Sequence, residues 1–127
     1  MRALLVTHGR LGEELLASAA CIYDAEAPIE AISNRDLDAA GLAQRIREWL
    51  DRDDGPVLVF VDVGGGSCGN AAQLACAGRS QSWVLGGVNL AMVLTYLGSH
   101  GQLEPPELVS KILDRALNAV RLLDDGG

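Results

Sequence analysis

A histidine and an aspartate stand at the carboxyl ends of two apolar segments, where they are placed for joint chemistry. His8 follows the apolar run from Ala3 to Thr7, and Asp62 lies near the end of the run from Val57 to Val63. A carboxylate that accepts one ring N–H of a histidine fixes the tautomer and leaves a lone pair on the other nitrogen. Such a nitrogen can take a phosphoryl group, so this pair predicts a nucleophilic histidine, His8, oriented by Asp62.

A glycine-rich turn follows Asp62 in the stretch VDVGGGSCGN. Its glycines expose backbone N–H groups at a helix start, where the helix dipole also attracts anions. The predicted phosphate contacts are Gly9, Gly64, Gly65, Gly66 and Ser67. The Ser67 hydroxyl is also expected to cap the helix that begins near Gly69.

The same stretch contains G-x-S-x-G, which raises the alternative of a small serine hydrolase with Ser67 as nucleophile. The strand, turn and helix around Ser67 fit that motif. Against it, the chain is short, Ser67 lies four residues past the predicted strand end, and residues 68–99 contain no acid to serve between Ser67 and His100. A ligand-binding domain without enzymatic activity is a third interpretation.

The elements that must position these residues alternate between strands and helices along the chain. The predicted strands cover residues 3–7, 28–33, 57–63 and 82–85, and the predicted helices cover 11–23, 37–52, 70–77, 89–97 and 104–120. This alternation favours an α/β fold with an open, mostly parallel four-stranded sheet and helices on both faces. In such a sheet the ligand site lies beyond the carboxyl ends of the strands.

Composition limits the kind of protein this is. The 127 residues, 49% of them apolar, predict a single domain over residues 1–127. The net charge of −7, with no cluster of basic residues, argues against nucleic acid and against an anionic membrane as partners. The first apolar run breaks at His8, too early for a signal peptide or a membrane span, so we expect a cytoplasmic protein with no membrane insertion.

The three cysteines show no C-x-x-C pairing. This spacing argues against a disulfide framework and a thiolate zinc site, and we expect neither a metal nor a cofactor. Cys21 and Cys76 are interpreted as small buried apolar residues. Cys68, inside the glycine-rich stretch, would be reactive only if the helix start lowered its pKa.

The sequence resembles the mannose-family EIIA proteins of the bacterial phosphoenolpyruvate:sugar phosphotransferase system. Three segments carry the resemblance, LLVTHGRLGEELLASAACIYD, VLVFVDVGGGSCGNAA and VLGGVNLAMVLTYL, and with their spacing it covers essentially the whole chain. It implies a phosphotransferase in which His8 accepts a phosphoryl group from the phosphocarrier HPr, with Asp62 orienting His8 and Ser67 in the phosphate turn. The acceptor would be a IIB component or a regulatory target.

The resemblance also implies an architecture. The strand order would be 2-1-3-4, and the chain would form a homodimer by exchanging a fifth, antiparallel strand at about residues 118–123. Cys68 and Ala91 stand where the family usually has proline. Because proline restrains the backbone, these replacements are expected to loosen two loops and to alter the partner surface rather than the chemistry.

Overall fold

Strands and helices alternate in the computed structural model, which describes residues 1–127. The strands are β1 (Arg2–Thr7), β2 (Ile29–Ser33), β3 (Val57–Val61) and β4 (Ser82–Leu85). The helices are α1 (Leu11–Ile22), α2 (Ala39–Leu50), α3 (Ser67–Cys76), α4 (Leu90–Ser99) and α5 (Pro105–Asn118). The predicted α/β class is therefore confirmed.

The four strands form one sheet in the order β2-β1-β3-β4, with every neighbouring pair parallel. This is the order that the resemblance implied. In the register between β1 and β3, Val6 lies beside Val61. The residues that follow these two strands therefore leave the sheet at the same edge and at nearly the same level.

Helices cover both faces of the sheet, which explains why β1 and β3 are apolar throughout. Leu4 packs with α2 and α3 on one face, while its neighbour Leu5 packs with α1, α4 and α5 on the other, because successive strand residues point to opposite faces. All five residues of β3 are buried. Burying one such large aliphatic side chain contributes roughly 1.5–3 kcal/mol, so these central strands hold the site edge firmly in place.

Helix α3 begins at Ser67, three residues before the predicted start at residue 70. Gly66 is the N-cap residue, and the Asn70 N–H closes the first turn on the Gly66 carbonyl oxygen at 3.0 Å. The expectation that Ser67 caps this helix is therefore wrong, since Ser67 is already its first residue and its hydroxyl makes no capping bond. Because glycine has a low helix propensity, the sequence around Gly69 predicted a turn rather than the first turn of a helix.

The cysteine predictions had mixed outcomes. Cys76 is buried, as expected, but Cys21 is exposed on the outer side of α1. The prediction failed because α1 buries only a narrow stripe of small residues, Gly12 and Ala19, and leaves most of its surface in solvent. Apolar composition alone did not indicate how narrow that stripe is.

The C-terminal segment after α5 forms no strand within the single chain. It carries exposed apolar side chains, Val120, Leu122 and Leu123, and Leu117 just before it is also exposed. None of the helices has the length and apolar character needed to cross a membrane.

Candidate functional site

His8 and Asp62 meet at the carboxyl edge of the sheet, 54 residues apart in sequence. The Nδ1 atom of His8 lies 2.8 Å from Oδ2 of Asp62, and the same oxygen accepts the backbone N–H of His8 at 2.9 Å. The other carboxylate oxygen, Oδ1, accepts the Val63 N–H at 3.0 Å. Because an ionised carboxylate can only accept hydrogen bonds, the ring proton belongs on Nδ1 and the free lone pair on Nε2.

The environment keeps Asp62 charged. Its side chain is only 10% exposed. Burial by itself would raise the pKa of Asp62, but the hydrogen bonds from the His8 backbone and ring and from the Val63 N–H outweigh it, and the pKa is lowered. A carboxylate that stays ionised at neutral pH holds the Nδ1 proton in place and stabilises positive charge on the ring.

The Nε2 side of the ring is open to solvent and to the start of α3. The His8 side chain is 49% exposed, and the Ser67 Oγ lies 3.2 Å from Nε2. In the turn beside it, no partner within the chain accepts the backbone N–H groups of Gly64, Gly65, Ser67 or Cys68. Free N–H groups at a helix start attract an anion, so a group bound to Nε2 would face donors suited to phosphate oxygens.

Two further glycines hold this turn in shape. A Cβ atom on Gly69 would lie 2.5 Å from the Gly64 carbonyl oxygen and 2.9 Å from that of Val63. A Cβ atom on Gly86, just after β4, would lie 3.0 Å from the Gly64 Cα. The turn is therefore packed between α3 and the end of β4, at distances that only glycine permits.

Gly9 lies on the other side of His8 and has a left-handed backbone conformation, with φ of +56°. Its N–H donates to the side-chain oxygen of Asn34 at 3.2 Å. The Thr7 Oγ1 accepts the Gly12 N–H at 2.8 Å and so satisfies a donor in the first turn of α1. The part of Asn34 was missed from the sequence, although Asn34 follows β2 directly and thus lies at the same sheet edge as His8.

Cys68 lies beside the His8 ring, with its Sγ 3.7 Å from Nδ1. The residue is fully buried. Burial, reinforced by the negative charge of Asp62, raises the pKa of the Cys68 thiol to about 11. The helix start does not lower it, so the condition for a reactive thiol is not met.

Ser67, His8 and Asp62 form a continuous hydrogen-bonded chain with the geometry of a Ser-His-Asp triad. The missing acid between Ser67 and His100 is therefore no argument against a hydrolase, because the ring near Ser67 is His8. His100 lies far along the chain, at the C-terminal cap of α4, and stacks on Tyr96 with ring centroids 5.4 Å apart. Geometry alone permits acyl or phosphoryl chemistry here.

Comparison with known protein families distinguishes phosphoryl chemistry from acyl chemistry at this site. Residues 2–113 match the family model EIIA-man, described as PTS system fructose IIA component. A sequence comparison with curated proteins finds no match. Nothing in these comparisons supports the serine-hydrolase alternative.

Three solved structures are similar to this chain over nearly its whole length. The mannose/sorbose specific IIA subunit of the phosphotransferase system from Enterococcus faecalis is 29% identical, with 99% of this chain and 96% of that one covered and a TM-score of 0.82. The EIIA component from Streptococcus agalactiae is 19% identical, with 95% of both chains covered and a TM-score of 0.87. The PTS IIA protein associated with the fucose utilization operon of Streptococcus pneumoniae is 18% identical, with 96% and 92% covered and a TM-score of 0.77.

Proposed function

Because this chain belongs to the EIIA-man family of PTS IIA components, we propose that His8 is its phosphorylated residue and that Nε2 is the accepting atom. The chain is a phosphocarrier of the sugar phosphotransferase system and acts as a phosphotransferase. Its family interacts in general with HPr as donor and with IIB components as acceptors. The proposal concerns which atoms of this chain do the chemistry.

The observation that carries the proposal is the orientation of the His8 ring. Nδ1 is held by Asp62, whereas Nε2 is unprotonated and lies on the half-exposed side of the ring, where its lone pair meets only the rotatable Ser67 hydroxyl at 3.2 Å. In the transfer, a bond forms between Nε2 and phosphorus while the bond from phosphorus to the donor breaks. His8 keeps its Nδ1 proton, and Asp62 balances the positive charge that the ring gains.

We assign the phosphoryl oxygens to the free N–H groups of Gly64, Gly65 and Ser67 and to the Ser67 hydroxyl. Phosphoryl transfer needs mainly alignment and stabilisation of spread negative charge, and these donors and the start of α3 provide both. Gly9 and Gly66 use their N–H groups within the chain, on Asn34 and on the Val63 carbonyl oxygen. Their part is to shape the two turns around the phosphate.

The test is phosphorylation with phosphoenolpyruvate, Enzyme I and HPr, followed by intact-mass measurement. We expect the chain to gain one phosphoryl group that is labile in acid and stable in base, as phosphohistidine is. Addition of a IIB component should remove the group. If the chain keeps the group in the presence of IIB components but loses it to a regulatory protein, the output is regulatory. An unmodified chain would refute the proposal.

Replacing Asp62 with asparagine is expected to slow transfer from HPr by about 100-fold or more, because an amide no longer forces the ring proton onto Nδ1. The measurement is a rapid-quench time course of phosphorylation by intact mass. Asp51→Asn, at the exposed C-terminal cap of α2, is the matched control and should transfer at the wild-type rate. A wild-type rate for Asp62→Asn would remove Asp62 from the mechanism.

We further propose that the chain forms a homodimer through its C-terminal segment, residues 118–123. The support is the run of exposed apolar side chains there and a mainly apolar cavity of about 440 Å³ beside them, lined by residues of α5 and by Gly86, Asn89 and Met92. Covering apolar surface of this kind with a second chain removes it from water and so lowers the free energy.

Changing Leu122 and Leu123 together to lysine is expected to convert the dimer to a monomer, because charged side chains would have to be buried in the interface. Light scattering after size exclusion measures the mass. Leu74→Lys, at another exposed apolar position, on α3, is the control and should leave the dimer intact. A wild-type chain that is monomeric at high concentration would contradict this.

A further inference from the structure

Three potential metal ligands from three separate parts of the chain meet at the site. The Nδ1 of His8, the carboxylate of Asp62 and the Sγ of Cys68 all lie within 4.8 Å of one another. His8 follows β1, Asp62 follows β3, and Cys68 is the second residue of α3. The phosphoryl mechanism uses the first two residues and gives the thiol no part.

One of the three ligand separations is close to that of a tetrahedral zinc site. With Zn–S of about 2.3 Å and Zn–N of about 2.0 Å, tetrahedral angles place S and N about 3.5 Å apart. The observed distance from Cys68 Sγ to His8 Nδ1 is 3.7 Å. The 2.8 Å from Nδ1 to Asp62 Oδ2 would have to open by about 0.5 Å, which a half-exposed ring can do by a small rotation.

The ligand set also selects the metal. One imidazole, one carboxylate and one thiolate suit Zn²⁺, whereas Mg²⁺ and Ca²⁺ prefer oxygen ligands alone. Three protein ligands leave a fourth position on a tetrahedral zinc ion, which a water molecule would take. We propose that His8, Asp62 and Cys68 bind Zn²⁺ and that the bound metal blocks phosphorylation of His8.

The positions of the protons on Cys68 and His8 explain why bound zinc would block phosphorylation. On binding, the Cys68 thiol loses its proton to solvent, because a coordinating thiol is deprotonated. Zinc takes the Nδ1 lone pair, so the ring proton moves from Nδ1 to Nε2 through solvent. Nε2 then carries a proton and has no lone pair for phosphorus. This inhibitory effect, unlike the binding itself, rests on the proposed role of His8.

The sequence expectation of no metal depended on cysteine spacing, which is informative only when the ligands come from neighbouring residues. Here the ligands are separated by 54 residues between His8 and Asp62 and by 60 between His8 and Cys68. Only the parallel register of β1 and β3, with the start of α3, brings them together.

Zinc binding is tested on the full chain with Zn²⁺ alone, in competition with a chromophoric zinc chelator and in the absence of HPr. We expect one Zn²⁺ per chain, and an affinity that falls by ~100-fold or more in Cys68→Ala, because loss of a ligand should cost at least as much as loss of an outer-shell partner. Co²⁺ as a probe should give a thiolate-to-metal charge-transfer band that Cys68→Ser lacks.

Two control variants address the other thiols. Cys21→Ala and Cys76→Ala should bind zinc like the wild type, since neither residue lies at the site. Equal affinity in Cys68→Ala and wild type, or loss of binding in Cys21→Ala, would overturn the proposal. Circular dichroism of Cys68→Ala and Cys68→Ser shows whether each is folded, and either folded variant is sufficient.

The inhibitory effect is tested by adding stoichiometric Zn²⁺ to the phosphorylation assay. Transfer to the wild type should fall at least tenfold and recover on chelation, while Cys68→Ala should be unaffected by zinc. A wild type that binds zinc and is phosphorylated at its usual rate would overturn the block. A chain that binds zinc but is never phosphorylated would refute the proposed function and leave the metal site standing.

Discussion

Replacement of His8 by alanine is expected to abolish phosphoryl acceptance completely and to leave the fold intact. The loss is complete because no other group at the sheet edge has a free nucleophilic nitrogen, and the Ser67 hydroxyl without the ring has no base to activate it. The fold should survive because the ring is half-exposed and because its contact with Asp62 is partly kept by the His8 backbone N–H. The measurement is intact mass after incubation with Enzyme I, HPr and phosphoenolpyruvate.

The matched control for this variant is His100→Ala, which changes the only other histidine in the chain. His100 stacks on Tyr96 and makes no contact with the site, so this variant should accept the phosphoryl group at the wild-type rate. Modification of His8→Ala to the same extent as wild type would show that the phosphoryl group resides elsewhere. Circular dichroism of both variants separates loss of function from loss of fold.

Replacement of Gly69 by alanine is expected to lower the free energy of unfolding and to disable the phosphate turn together. The new methyl group would lie 2.5 Å from the Gly64 carbonyl oxygen, a backbone atom that cannot move aside without shifting the turn. Alanine in place of glycine would favour the helix by about 1 kcal/mol. Overpacking typically costs about 1–3 kcal/mol, and more where the contact is with backbone, so the clash outweighs the gain in helix propensity.

Urea denaturation and the rate of transfer from HPr measure the two effects. We expect a net destabilisation of about 1–2 kcal/mol and a rate lower by about tenfold or more, since the turn would no longer direct its N–H groups at Nε2. Gly65→Ala is the control, because a Cβ atom there meets nothing within 4 Å and should change stability little. Wild-type stability in Gly69→Ala would mean that the turn is less closely packed than the structure indicates.

The strands and the pair at the centre of the site could be predicted because each has a strong local signal. β1 and β3 are continuous apolar runs, as buried parallel strands require, and the polar residues that end them mark the edge where ligands bind. His8 and Asp62 were therefore identifiable as partners from their positions alone. The strand order came from the resemblance and not from the pattern.

The rest depended on packing that the sequence does not display. Gly69 lies inside α3 and packs closely against the preceding turn, so that Ser67 belongs to the helix and not to its cap. The role of Asn34 depends on how β2 aligns with β1. The sequence argument against a Ser-His-Asp arrangement was that no acid lies between Ser67 and His100. That argument was wrong, because neighbours at a sheet edge come from distant segments of the chain, and the histidine beside Ser67 is His8.

The two hydrogen bonds from His8 to Asp62 limit how the phosphoryl donor and acceptor can approach the ring. One carboxylate oxygen holds both the main chain and the ring of His8, so the ring cannot swing between two docking positions while this oxygen keeps both bonds. Under the proposed function, donor and acceptor must then approach Nε2 along the same path, and neither can be present while the other occupies it. Such a carrier follows ping-pong kinetics without a ternary complex. An excess of dephosphorylated donor then competes with the acceptor, and an excess of phosphorylated acceptor competes with the phosphorylated donor.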